Sequence, residues 1–123
     1  MAKAGLVSAV IVNFRTERFL KDSLESVRGQ TYKNVEIVLV NNGSEAFNAG
    51  QFKEFRIDKL ICNEKNLGFA RANNQGILAS EGEFILLLNA DAKISADFLE
   101  TAITKFRERE DAFALVPQIR IWG

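Results

Sequence analysis

The chain has no histidine, a single cysteine and no excess of either charge. Without histidine it can form neither an imidazole general base nor a histidine-ligated zinc site. The only cysteine, Cys62, cannot form a disulfide within the chain, which is typical of a protein from a reducing compartment. Lys plus Arg and Asp plus Glu both number 16, so no net field attracts nucleic acid. These absences predict a cytoplasmic protein without a nucleic-acid partner.

Long apolar runs are also absent, and none approaches the length of a membrane span. The short apolar run 5–12 follows Lys3 and faintly imitates a secretory signal, but no cleavage site with small residues comes after it. We therefore expect this run to be a buried first strand. With 47% hydrophobic residues in a chain of 123, the composition favours a single folded domain over residues 1–123.

The sequence alternates apolar strands with amphipathic helices. The apolar run 84–88 contains no polar residue, which is typical of a strand buried on both faces of a parallel sheet. The predicted strands cover residues 7–12, 35–40, 58–62, 84–88 and 113–116. The predicted helices cover residues 17–28 and 68–80 and a third segment after an N-cap at Ser95, with a short helix around Phe52 and Phe55. In the helix 68–80, the predicted buried side consists of Phe69, Ala72, Ile77 and Leu78.

No hairpin turn signal separates these strands, so right-handed crossovers and a mostly parallel sheet are expected. The fold class is therefore α/β, a three-layer α/β/α sandwich. In such sheets a ligand binds outside the carboxyl ends of the strands.

Polar clusters follow three of the predicted strands, at residues 13–15, 41–43 and 89–91, and a fourth polar stretch lies at 63–74. Parallel strands bring such clusters to one edge of the sheet. Amide side chains there can form hydrogen bonds with a nucleotide base or with a ribose hydroxyl. Gly68 allows close approach of the backbone, and the helix after it offers N–H groups to an anion. Asp91 can hold a divalent cation against a phosphate. The alternative interpretation is a set of surface turns, where Asn and Asp are common.

These segments, in this order and spacing, resemble the nucleotide-sugar-binding half of family 2 glycosyltransferases with the GT-A fold, close to the rhamnosyltransferase-like branch. The matching segments are 7–14, 19–20, 23–26, 30–32, 38–44, 63–70, 73–76 and 86–91. The resemblance implies transfer of a sugar from a nucleoside-diphosphate sugar to an acceptor hydroxyl, with inversion and with Mg²⁺ or Mn²⁺ as cofactor. It implies Asp91 as the metal ligand. The implied nucleotide-sugar-binding residues are Val12, Asn13, Phe14, Asn41, Asn42, Asn66, Gly68, Arg71 and Asn89.

The chain departs from the family pattern at several of these positions. The family usually has Asp where this chain has Asn41, and Thr-Asp where it has Glu45 and Ala46. Arg15 stands where a second Asn is common, and the metal motif has one carboxylate instead of two. These departures favour, as the alternative function, a nucleotide or nucleotide-sugar binding module without transfer activity.

Family members continue into an acceptor half that carries the general base, an Asp or Glu. We therefore expect residues 1–123 to be the donor half of a longer enzyme, with the base outside this chain. The family implies a glycan or lipid-linked acceptor and a role in cell-wall or polysaccharide biosynthesis, either in the cytoplasm or peripherally at the inner face of the membrane. Apolar residues near the end, Ile119, Ile121 and Trp122, are expected to form an exposed surface that favours self-association, for example as a homodimer.

Overall fold

Strands and helices alternate along residues 2–121, which the computed structural model describes. In chain order the elements are β1 (Lys3–Asn13), α1 (Glu17–Arg28), β2 (Val35–Asn42), a 3₁₀ helix (Ala49–Phe55), β3 (Lys59–Asn63), α2 (Phe69–Ala79), β4 (Gly82–Asn89) and α3 (Phe98–Glu108). Each apolar run that predicted one of the first four strands lies in a strand. No helix within residues 2–121 is both long and apolar enough to cross a membrane.

The four strands form one sheet in the order β3-β2-β1-β4, and every neighbouring pair is parallel. Helix α2 covers one face, where Ala72 packs with Val12 and Val40. Helix α1, the 3₁₀ helix and α3 cover the other face, where the larger part of the core lies. The predicted three-layer α/β/α sandwich is therefore confirmed.

Helix α2 lies close to the sheet because its buried side is made of small residues. The predicted buried side was wrong for three large side chains, which are exposed: Phe69, Ile77 and Leu78. The buried residues are Ala72, Asn73 and Gly76. A Cβ added at Gly76 would lie 2.3 Å from Cγ1 of Val10, which is fully buried. Contact through small residues brings the helix backbone nearer to the sheet than Ile or Leu would allow.

We expect Gly76→Ala to lower the free energy of unfolding by about 1–2 kcal/mol, because overpacking a rigid core outweighs the better helix propensity of alanine. Urea unfolding checks this. The matched test is Gly76→Ala in a Val10→Ala background, where the added methyl has room and its cost should vanish. A Gly76→Ala protein as stable as the parent would contradict the close packing of α2.

Strand β4 is buried on one face only, and the prediction of burial on both faces was wrong. Ile85 is 41% exposed and Leu87 is 54% exposed. Leu87 pairs in register with Val10, so the two side chains share the α2 face of the sheet. Helix α2 packs mainly on β1, β2 and β3, and β4 is not among its main contacts. The apolar run 84–88 predicted the strand, but it could not indicate which elements cover the two faces of that strand.

The prediction of a fifth strand at 113–116 was wrong: residues 113–121 form neither strand nor helix. Phe113 is 96% exposed, and Pro117 follows the segment with no N–H to donate to a sheet. A strand needs a paired neighbour, and this apolar run has none among the described residues. Ile119 and Ile121 are exposed as predicted, whereas Trp122 lies outside the described residues.

Helix α3 begins later than predicted. Its N-cap is Asp97, and Ser95 lies in the turn before it, where its carbonyl accepts from the N–H of Phe98. The same carbonyl accepts from the buried side chain of Gln30, 2.6 Å away. This contact with α1 fixes Ser95 outside the helix.

Candidate functional site

The carboxyl ends of the parallel strands bring the predicted site residues to one edge of the sheet. Asn13 pairs in register with Asn41, and Val12 pairs with Asn89. On the other side of β2, Asn42 pairs with Asn63. Neighbouring strands lie about 4.8 Å apart, so these positions form a continuous row of amides. The turn that carries Asp91 starts at the end of this row.

Asn13 and Asn41 are buried and bonded to each other. Nδ2 of Asn13 donates to Oδ1 of Asn41 over 3.2 Å, and Nδ2 of Asn41 donates to the carbonyl of Ser44 over 3.1 Å. Oδ1 of Asn13 accepts from the hydroxyl of Thr16 over 2.7 Å, and the hydroxyl of Ser44 donates to Glu17. A carboxylate at position 41 could not donate to the Ser44 carbonyl. The neutral amide therefore suits this arrangement of the loops after β1 and β2.

Asn42 binds the loop between β3 and α2. It is 2% exposed, and its Nδ2 donates to Oδ1 of Asn66 over 2.9 Å and, more weakly, to the carbonyl of Gly68 over 3.4 Å. Its Oδ1 accepts from the backbone N–H of Leu67 and from Nδ2 of Asn63, both over 3.1 Å. All of its hydrogen-bonding capacity faces the protein.

The other predicted residues at this edge differ in exposure. Phe14 is half-buried, with the guanidinium of Arg15 4.9 Å from the ring centroid. Gly68 has a φ of +92°, and nothing lies within 4 Å of a Cβ added there. Arg71 is exposed in the first turn of α2. Val12 packs under α2, so only its backbone can meet a ligand at the edge.

Asp91 lies on a tight turn directly after β4. The N–H of Ala92 donates to the carbonyl of Asn89 over 3.0 Å and closes the turn. Ala90 is 4% exposed and points into the core, whereas Asn89 and Asp91 are exposed. In the part of the chain that the structure describes, no hydrogen bond or ion pair occupies the Asp91 carboxylate.

Three polar side chains, two on α1 and one just after it, hold the segment that carries Asp91. The hydroxyl of Ser23 donates to the carbonyl of Asn89 over 3.4 Å, and the hydroxyl of Ser26 accepts from the N–H of Ile94 over 3.2 Å. Gln30, just after the helix, donates to Ser95 and accepts from the N–H of Leu99 over 2.9 Å. Their roles at the site were not predicted from the sequence. Their spacing of three and four places them on one helical face, the signal that could have identified them.

The donor set fits a divalent cation only in part. No group of three or more Asp, Glu, Cys or His side chains within residues 2–121 could hold a metal ion. Mg²⁺ is often bound through one or two carboxylates and completes its coordination with water and phosphate oxygens. Asp91, exposed at the edge with a free carboxylate in the described chain, suits an ion that arrives with a diphosphate.

A cleft of about 560 Å³ lies at the opposite end of the sheet, and its charges pair with one another. Nζ of Lys59 lies 3.0 Å from Glu81 and 3.5 Å from Glu36. The hydrogen bond between Lys59 and Glu81 raises the pKa of Lys59 and lowers that of Glu81. Because these charges neutralise each other away from the amide row, we place the candidate site at the carboxyl edge.

Comparison with known families agrees with this fold. Residues 8–122 match the model of the family described as Glycosyl transferase family 2. The chain therefore belongs to glycosyl transferase family 2, as the resemblance predicted, whereas its place in the rhamnosyltransferase-like branch stays a prediction. The chain spans between 31% and 39% of the length of three bacterial glycosyltransferases that it matches.

One relative has a specific activity in its name. The UDP-Glc:alpha-D-GlcNAc-diphosphoundecaprenol beta-1,3-glucosyltransferase WfgD of Escherichia coli is 32% identical over 88% of this chain and 44% of its own length. Among solved structures, Staphylococcus aureus TarS 1–349 in complex with UDP-GlcNAc has a TM-score of 0.79 at 22% identity, over 92% of this chain and 37% of that one. The mannosyltransferase PcManGT of Pyrobaculum calidifontis, in complex with GDP-Man and Mn²⁺, has a TM-score of 0.74 at 19% identity, over 81% and 32%. Both structures share the fold of this chain.

Proposed function

We propose that this chain is the donor-binding domain of a glycosyltransferase that transfers a sugar from a nucleoside-diphosphate sugar to an acceptor hydroxyl. The observation that carries the proposal is the row of amides at the carboxyl edge of the sheet, with the free carboxylate of Asp91 at its end. The buried amides of the row fix the loops at this edge, the exposed amide of Asn89 offers donors and an acceptor to a ligand, and the carboxylate provides charge for a metal diphosphate. Family membership supports the same activity.

The predicted binding residues divide into two groups by the role that we assign to them. Gly68, Arg71 and Asn89 are exposed and Phe14 is half-buried, and we assign these four to direct contact with the nucleotide sugar. The others shape this surface: Val12 through its backbone, the exposed Asn66 through the bonds to its own loop, and the buried amides Asn13, Asn41 and Asn42 by fixing the loops.

We assign Asp91 to a bound Mg²⁺ or Mn²⁺. Such an ion, when bound, neutralises charge on the diphosphate leaving group. The exposed carboxylate and the buried Ala90 before it would present a single ligand at a fixed position. The complex of the Pyrobaculum neighbour with GDP-Man and Mn²⁺ supports this choice of cation.

Transfer with inversion needs a general base within hydrogen-bond reach of the acceptor hydroxyl. We place that base, an Asp or Glu, in a further segment outside residues 1–123. A lipid-linked glycan is the proposed acceptor, in polysaccharide biosynthesis at the cytoplasmic face of a membrane, and the diphosphoundecaprenol in the name of the E. coli relative supports it. The exposed apolar face formed by Ile85 and Leu87 would then be covered by further chain or by a second copy.

We expect Mn²⁺ to bind this chain only together with a nucleoside diphosphate, because one carboxylate has too little charge to strip several waters from the ion. Calorimetric titration of Mn²⁺ with and without UDP or GDP checks this. Asp91→Asn should weaken Mn²⁺-dependent nucleotide binding at least tenfold, or about 1.4 kcal/mol. Asp22→Asn, an exposed change on α1, is the matched control and should bind like the parent. Equal Mn²⁺ binding with and without nucleotide would contradict the proposal.

A binding module without transfer activity is the second candidate, favoured by the neutral Asn41 and the single carboxylate of the metal motif. Radiolabelled nucleotide sugars and lipid-linked acceptors distinguish the two functions, with the 123-residue chain alone and any longer product of the same gene assayed in parallel. We expect metal-dependent transfer from the longer product and none from the short chain, because we place the general base outside residues 1–123. Nucleotide binding by both without transfer by either would favour the binding module.

A further inference from the structure

Four amide side chains link the middle of α2 and the ends of β3 and β2 to the loop before α2. We call Gln75, Asn63, Asn42 and Asn66 the amide relay. Gln75 and Asn63 exchange two hydrogen bonds of 2.9 and 2.7 Å. Asn63 then donates to Asn42, and Asn42 donates to Asn66. Oδ1 of Asn66 also accepts from the backbone N–H of Gly68 over 2.8 Å, so the relay runs from the middle of α2 to the residue before its first turn.

The direction of these bonds sets the chemistry that each position tolerates. Asn42 must accept from Asn63 and Leu67 while it donates to Asn66. A neutral amide does both, whereas an ionised carboxylate accepts and cannot donate. Asn66 is different, since among the described residues its side chain only accepts, through Oδ1, from Asn42 and from Gly68. A carboxylate could replace the amide at position 66 but not at position 42.

No titratable side chain bonds to the amide relay within the described residues. The charged or titratable residues near it are exposed: Cys62 on β3, Glu64 and Lys65 in the loop, and Arg71 on α2. The buried Glu36 on β2 and the half-buried Lys59 on β3 pair with each other at the opposite end of the sheet. The relay is therefore neutral and should keep its geometry over a wide range of pH.

We propose that Asn42 is a positioning residue, which through the amide relay fixes the open backbone at Gly68 and the first turn of α2 for the donor. This inference rests on the proposed function, because that surface is the assigned nucleotide contact. Asn42 itself is 2% exposed and does not reach the ligand. Its effect passes through Asn66 to the N–H of Gly68, where the chain has a φ of +92° and free space beside it.

The test is amide hydrogen exchange at Leu67 and Gly68, corrected for the intrinsic rate. In Asn42→Asp at pH 7.5, the new carboxylate still accepts from Leu67 but repels Oδ1 of Asn66. Asn66 then turns its NH₂ toward the carboxylate, and Gly68 loses its acceptor. We expect protection at Gly68 to fall at least tenfold while protection at Leu67 is kept. Near pH 4 the new carboxyl is about half protonated and donates again, so protection at Gly68 should begin to return.

Matched variants separate this mechanism from a general loss of structure. Asn42→Ala should lose protection at Leu67 and Gly68 at both pH values. Asn66→Asp should keep protection at Gly68, and Asn66→Ala, a change at an exposed position, should lose it even if Asn42→Asp fails to fold. Asn34→Asp, an exposed amide-to-acid change in the loop before β2, should leave exchange at both positions unchanged.

Nucleotide binding completes the test. In the presence of Mn²⁺ at pH 7.5, the Kd for UDP or GDP, whichever binds the parent chain, should rise about tenfold in Asn42→Asp. Unchanged protection at Gly68 in both Asn42→Asp and Asn66→Ala would overturn the inference, and so would lost protection with an unchanged Kd. A parent chain that binds neither nucleotide would overturn the proposed function instead.

Discussion

Gly43→Ala is expected to lower the free energy of unfolding by about 2–4 kcal/mol, from left-handed backbone strain and overlap together. Gly43 has a φ of +89°, and a Cβ there would lie 2.4 Å from the carbonyl carbon of Lys65 and 2.6 Å from the nitrogen of Asn66. Both are backbone atoms and cannot turn aside. The loop 65–68 must therefore move away from β2, which should also weaken nucleotide binding.

Urea unfolding and calorimetry measure the two effects of this change. Gly50→Ala is the matched control, because a Cβ at Gly50 would meet only the Asn48 side chain at 3.2 Å and the backbone there is not left-handed. Its stability should stay within about 0.5 kcal/mol of the parent. If Gly43→Ala unfolds at the same urea concentration as Gly50→Ala, the backbone at Gly43 is not in close contact with the loop 65–68.

Gln30→Leu is the second change with a large expected effect, about 3 kcal/mol in the free energy of unfolding. Gln30 is fully buried, donates to the carbonyls of Ser26 and Ser95, and accepts from the N–H of Leu99. Leucine has a similar size but leaves the Ser26 carbonyl and the Leu99 N–H without this partner, and each buried unpaired group costs about 1–3 kcal/mol. The Ser95 carbonyl keeps only the N–H of Phe98, so the segment after the Asp91 turn loses its contact with the end of α1.

Chemical unfolding and Mn²⁺-dependent nucleotide binding are the measurements for Gln30→Leu. Gln51→Leu, an exposed change on the 3₁₀ helix, is the matched control and should leave both nearly unchanged. We expect Gln30→Leu to weaken binding even at temperatures where it stays folded, because the segment 89–95 is less firmly held. A variant that loses stability yet binds Mn²⁺ and nucleotide like the parent would show that α1 does not position Asp91.

The sequence predicted the elements well where the pattern is local. The boundaries of α1 match the prediction, because its apolar residues recur at helical spacing and Gly29 ends it. The four apolar runs form parallel strands. No hairpin turn lies between these runs, so consecutive strands are joined by crossover connections, which make them parallel. The polar clusters after β1, β2 and β4 could be placed at one edge for the same reason.

The errors arose where one element needs another to define it. Leu78 and Ile77 are apolar and helical, but the contact between the backbone of Gly76 and the side chain of Val10 decides which side of α2 is buried. The run 113–116 has the composition of a strand but no partner among the described residues. Strand β4 is at the edge of the sheet, and its exposed face depends on how far α2 extends across it.

The sequence by itself determined the family, the parallel α/β architecture and the set of amides and the carboxylate that gather at one edge, because period, turn residues and motif order are local properties of the chain. Only the tertiary structure decided which of these side chains are free. Asn13, Asn41 and Asn42 turned inward because register pairs them with other strands and loops, and a buried amide must satisfy its donors and its acceptor. Asp91 stayed outward because Ala90 occupies the core position before it.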